Sequence, residues 1–208
     1  MARALSVQEI LSMKKAVLPF EGKWADAFGA PERTGVWFIW GNSGNGKSNF
    51  VMQLCKELCK YGRVAYNSLE EGDSLSVQNS FIRHGICAAN KRMQLLNCEP
   101  MDELSIRMSR RKSPDFYVVD SFQYTQMSYR EYISFKEAHR DKLIIFTSHA
   151  DGRNPSGRAA KSVMYDASLK IWVEGWRAFS KGRFIGSTGK FTIWEEGATD
   201  YWEPKIKN

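Results

Sequence analysis

Long apolar runs are missing from this chain of 208 residues. The longest, such as VWFIW at 36–40 and LIIF at 143–146, are strand-sized. A membrane helix needs roughly 20 apolar residues, so a spanning segment is excluded. The N-terminal stretch MARALSVQEILSMKK has no uninterrupted apolar core of the kind a secretory signal carries, and a cytoplasmic location is expected. Cysteine and histidine are scarce, with four and three copies. No histidine stands at zinc-finger spacing from Cys55 and Cys59, which lie four apart on a predicted helix. Those two read as buried small hydrophobes, and the set Cys55, Cys59, Cys87 and Cys98 suits a reducing compartment. Low-complexity tracts and internal repeats are absent too. What remains is one globular domain's worth of chain with a net charge of +7. That charge permits a polyanionic partner without requiring one.

From residue 35 onward, strand and helix patterns alternate. GVWFIW, RVAYNSL, MQLLN, DFYVVD, KLIIFTS and SLKIWVEG read as strands, with predicted helices at 47–60, 74–84 and 129–139. RAFSKGRFI and GKFTIWEE flank GST as a closing hairpin. Apolar strands alternating with helices imply an α/β fold, a mainly parallel sheet sandwiched by helices, with an antiparallel C-terminal hairpin. Residues 1–34 read as a lead-in. A short amphipathic helix at 6–17 opens on capping-box spacing between Ser6 and Glu9, and an irregular, turn-rich stretch follows. That helix either packs on its own core or latches onto a neighbour.

Gly41-Asn42-Ser43-Gly44-Asn45-Gly46-Lys47-Ser48 satisfies G-x-x-x-x-G-K-[ST] in full, after a strand and at the opening of a helix. Glycines let successive amides turn inward around a phosphate, and the helix N-terminus adds partial positive charge. Lys47 reaches β- and γ-oxygens of ATP, Ser48 is a ligand for Mg²⁺, and Asn49 completes the nucleotide-binding run. GSTGK at 186–190 looks similar but lacks the upstream glycine, and phenylalanine follows its lysine. It reads as a decoy. Asp120 ends an apolar strand as a Walker B acid does, which makes it the second metal-site residue. Glu70 and Glu71 end the strand after the phosphate-loop helix. Paired carboxylates there repel each other, so a general base beside the γ-phosphate explains them best, Glu70 being preferred. Otherwise both cap the helix at Ser74.

With these residues in order, the chain resembles the RecA-like P-loop ATPases, in particular the RadA and DnaB-type helicase branch. SLEE at 68–71 resembles the catalytic-glutamate motif of that branch, FTSHADG at 146–152 its sensor strand and following loop, and SKGRFIG at 180–186 the Lys-Asn-Arg-Phe-Gly motif, with Gly182 replacing asparagine. The resemblance spans residues 35–196 and makes 35–208 the ATPase core, in a compact phage or mobile-element form. It implies that the sensor strand lies between the phosphate-loop and Walker B strands, so that His149 senses the γ-phosphate. It also implies that Lys181 and Arg183, two apart on a strand and so on one face, complete a neighbour's active site within a homo-oligomeric ring or filament.

The loop at 150–168 carries Arg153, Arg158 and Lys161 among Gly, Ser and Pro, and reads as a flexible cationic segment for phosphodiester contacts. In RecA-like proteins a loop in this position binds DNA. After Asp120, Phe122, Tyr124, Tyr129 and Arg130 suit base stacking, Tyr124 and Arg130 being preferred. The expectation is an ATPase acting on single-stranded DNA as a helicase, branch-migration or recombination motor. The alternatives are an oligomeric ATPase that works on protein partners and a small-molecule kinase. The glutamate pair and the lack of an arginine-rich lid disfavour the kinase.

Overall fold

The computed structural model describes residues 3–86 and 91–203; Cys87 lies outside them. Six strands supply the parallel part of the sheet: β1 (Gly35–Gly41), β2 (Val64–Ser68), β3 (Met93–Asn97), β4 (Phe116–Asp120), β5 (Leu143–Asp151) and β7 (Leu169–Glu174). β6 (Asn154–Pro155) folds back on the end of β5, and β8 (Arg177–Gly182) and β9 (Lys190–Thr192) continue the sheet antiparallel. The spatial order is β3-β2-β4-β5-β1-β7-β8-β9. β5 therefore lies between β4 and β1, the arrangement that the resemblance implies.

Side-chain alternation explains the uninterrupted apolar strands. Trp37 and Ile39 face one layer, Val36, Phe38 and Trp40 the other, and all five are buried. The first layer holds α2 (Gly22–Phe28) and α3 (Lys47–Leu58) through Trp24, Phe28, Phe50, Leu54 and Leu58. The second holds α5 (Met101–Met108), α6 (Tyr129–Ala138) and α7 (Arg158–Asp166) through Leu104, Tyr132, Phe135 and Val163. Burying each such large side chain stabilises the fold by about 1.5–3 kcal/mol before entropy is counted. Cys55 and Cys59 are buried in the first layer, and burial pushes the Cys55 thiol far up, leaving it inert.

Four local expectations need correcting. The stretch read as irregular between residues 18 and 34 contains α2. Leu18, Phe20, Trp24 and Phe28 belong to the core, and Trp24 stacks within 4.2 Å of Phe191. α1 (Val7–Ser12) is shorter than 6–17 because the backbone turns extended at Met13. Its capping box is formed, yet no residue of it is buried and Leu11 is 80% exposed. α5 and α8 (Glu195–Trp202) come as additions. The segment 150–168 is no flexible loop, since β6 and α7 occupy most of it. α4 (Leu75–Arg83) lies as expected, two residues shorter.

Candidate nucleotide site

β1 delivers the chain to the carboxyl edge of the sheet, and α3 begins at Lys47. Gly46 sits between them with φ +92°, a left-handed conformation that suits glycine. A Cβ there would also lie 2.6 Å from the Trp176 ring. Asn45 fastens the loop to the β7–β8 turn: its Oδ1 accepts from the Gly175 amide at 2.8 Å and its carbonyl from the Trp176 amide at 3.2 Å. Asn42 donates to the Gly152 carbonyl at 3.2 Å. Over this loop opens a cavity of about 260 Å³. Asn42, Ser43, Gly44, Gly46, Lys47, Ser48 and Asn49 line one side, and Glu70, Glu71, Asp120, His149 and Trp176 the rest. Gly41 and Asn45 shape the loop from behind.

Strand register brings the acids together. Ser68 pairs with Asp120, and the Leu69 and Glu70 amides both donate to the Asp120 carbonyl, at 2.7 and 3.1 Å. The Asp120 carboxylate accepts from the Tyr66 hydroxyl on one oxygen and from the Thr147 hydroxyl on the other. Burial, then the Asp120 charge and hydrogen bond, hold the Tyr66 phenol well above its ordinary range, so it stays a donor. Each carboxylate oxygen keeps a second lone pair. Hard oxygen donors at Ser48 and Asp120, few in number, fit Mg²⁺, which keeps most of its water shell.

The two glutamates part company. Glu70 Oε2 lies 3.2 Å from His149 Nε2 inside the cavity. Glu71 instead accepts from the Ser76 hydroxyl in the first turn of α4, and its carbonyl accepts from the Ser74 amide at 3.3 Å. The helix-capping alternative thus describes Glu71 in part, and leaves Glu70 facing the histidine.

Gln123 went unnoticed in the sequence. It sits in the single 3₁₀ turn Phe122–Thr125 after β4, and its amide donates to Ser148 Oγ at 2.8 Å and to the Ser156 carbonyl at 2.9 Å. It accepts from the His149 amide at 3.2 Å. Three segments converge on one side chain. Nothing in the local pattern marks it. Trp176 was also missed, although the Gly175-Trp176 pair between two strand patterns is a legible hairpin signal.

The cations proposed for nucleic acid divide in two. Arg158 and Lys161 are exposed in the first turn of α7, and Arg158 adjoins the turn that carries exposed Tyr124. Arg130 is exposed in the first turn of α6. Arg153, at the β5–β6 turn, lines a separate cavity of about 420 Å³ with Lys181, Trp172, Phe179 and Trp202.

Lys181 and Arg183 are both exposed and line no part of the phosphate cavity. Gly41 pairs with Val173 at the site end of β7, whereas Gly182 pairs with Leu169, four residues away or roughly 13 Å along the strand. β8 ends at Gly182, so strand alternation does not extend to Arg183, and that part of the spacing argument fails. Arg183 nonetheless lies on the α7 side. Burial would raise the Asp166 carboxyl, but hydrogen bonds from Lys136 and Tyr132 outweigh it, Arg183 adds positive charge, and the net shift is downward.

No protein-family model matches the chain, and no curated protein sequence does. Among solved structures it is similar to the flagellar accessory protein FlaH from Methanocaldococcus jannaschii, with TM-score 0.60, 14% identity, and coverage of 86% of this chain and 92% of that one. It is also similar to the ATPase domain of a DnaB-like helicase, with TM-score 0.53, 14% identity and coverage of 73% and 78%. At that identity the likeness speaks for the fold. The chain has a RecA-like P-loop fold. No helix among the described residues is long and apolar enough to cross a membrane.

Proposed function

We propose that this chain hydrolyses ATP to ADP and phosphate, and couples that reaction to work on single-stranded nucleic acid. The observation that carries the reading is the phosphate-sized cavity, where Lys47, Ser48, Glu70, Asp120 and His149 arrive from separate segments of the chain. Lys47 offsets charge on the β- and γ-oxygens. Glu70 takes the proton of the attacking water as oxygen bonds to the γ-phosphorus and the bond to the β–γ bridging oxygen breaks. His149 orients the Glu70 carboxylate and registers departure of the γ-phosphate. Ser48 and Asp120 hold Mg²⁺, which when bound neutralises phosphate charge. Arg183 and Lys181 of a second copy complete the site, because they stand away from their own cavity and face outward. Exposed Arg158, Lys161, Tyr124 and Arg130 form the nucleic-acid face, with Arg153 apart from them.

A second reading keeps the same engine but has it act on protein partners. The bare apolar residues of α1, Val7 and Leu11, favour it. Phosphate release with and without single-stranded DNA separates the two. Strong stimulation supports the first, steady turnover indifferent to DNA supports the second, and absence of turnover rejects both. Glu70→Gln is expected to bind ATP normally while losing about 10²–10⁴-fold in rate.

A further inference from the structure

A second cavity, of about 360 Å³, opens directly beside the phosphate cavity. Asn49 and Trp176 line both. Gln53, Arg83 and Trp194 line only the second. Asn49 and Gln53 are four apart on α3, one helical turn, so the second cavity runs along α3 away from the phosphate loop. Its volume falls in the range of small-molecule sites, which starts at about 300 Å³. The wall between the cavities is one indole ring.

That ring is held with care. Trp176 has φ +59°, which a bulky side chain seldom adopts, in a two-residue turn with Gly175 at φ +53°. The ring meets Trp194 edge-on, with centroids 5.0 Å apart. Gly46 and Gly197 make room for it, since a Cβ at either position would come within 2.6 or 2.8 Å of the indole. Trp194 is 49% exposed, an aromatic wall facing open space. Gln53 donates its amide to the Ile193 carbonyl at 3.1 Å, which leaves its side-chain oxygen as an acceptor. Arg83 reaches Asn49 Oδ1 at 3.4 Å, at the join of the two cavities.

We propose that this second cavity seats the base and ribose of the bound nucleoside triphosphate, with Trp176 and Trp194 as the stacking surface, Gln53 as a polar contact to the base, and Arg83 at the ribose end. The proposal rests on the first cavity being a nucleotide site, and adds which part of the ligand is read and by what. Indole rings stack on any base, and a planar guanidinium adds to them. A bare polyphosphate fills the first cavity only. It gains nothing from the second.

Calorimetric titration with ATP and with inorganic tripolyphosphate, both with Mg²⁺, tests this. Wild type is expected to bind ATP at least about tenfold more tightly, and Trp194→Ala to lose about tenfold on ATP with tripolyphosphate affinity unchanged. Trp194→Phe should restore much of the loss, and Gln53→Ala, a substitution at a partly exposed helix position, gives a second arm if Trp194→Ala folds poorly. Equal affinity of wild type for the two ligands would overturn the base seat while leaving the phosphate site intact. A preference for ATP that survives both Trp194→Ala and Gln53→Ala would overturn it too. If folded wild type binds neither ligand, the nucleotide reading fails and this proposal with it.

Discussion

Two glycine-rich segments of this chain end in lysine, and their backbones do opposite things. In residues 41–48 the loop opens into a cavity at the start of α3, and among the described residues no amide of positions 43–46 is given to a protein acceptor. In residues 186–190 the amides are already engaged. Gly186 donates to the Ala27 carbonyl at 3.2 Å, and Thr188 and Gly189 donate to the Asp26 carbonyl at 2.8 and 3.1 Å. Those carbonyls belong to the C-terminal part of α2, where the helix dipole repels anions. Lys190 then enters β9 rather than a helix. An anion site therefore requires free amides at a helix start, and a glycine-and-lysine composition is not sufficient.

The contrast can be broken by substitution. Lys47→Ala is expected to weaken ATP binding by about a hundredfold or more, since it removes a cation from the charged phosphate contact. Lys190→Ala should leave ATP affinity unchanged, and equilibrium titration of both variants checks the pair. Equal losses would erase the distinction between the loops. A smaller effect sharpens it. A Cβ on Gly186 would lie 2.0 Å from the Ala25 carbonyl oxygen and 2.4 Å from that of Asp26. Gly186→Ala is expected to cost about 1–3 kcal/mol in denaturant unfolding, with ATP affinity per folded molecule unaltered. A change in affinity without loss of stability would show that the second loop does more than brace α2.

The same physics explains what could be read from the residues alone. The sheet was legible because strands buried on both faces leave continuous apolar runs, and the phosphate loop because its glycines, lysine and serine stand between a strand and a helix. α2 was not. It is seven residues long, and no side chain of its N-cap Glu21 bonds the first turn. Its Trp24, Ala27 and Phe28 have helical spacing, but too few turns repeat it. α7 hid in a similar way: Gly157 gives it no side-chain cap, and its buried stripe of Ala160, Val163 and Met164 is flanked by Gly, Ser, Pro and exposed cations. The pairing of Glu70 with His149 and the branching of Gln123 depend on strand order, which brings β2, β4 and β5 side by side from distant parts of the chain. Spacing along the chain carries no trace of either. Arg183 shows the converse, where a spacing rule valid within a strand was applied one residue past its end.

The most direct test of the shared site is ATP turnover by an equimolar mixture of Glu70→Gln and Arg183→Ala chains. Each variant alone should be nearly inactive, the second by about 10³–10⁵-fold if its guanidinium offsets transition-state charge. Mixed, the intact Glu70 of one chain meets the intact Arg183 of the other, and a substantial part of the wild-type rate should return. A mixture as inactive as its components, from chains that remain monomeric with ATP and Mg²⁺ present, would contradict the account.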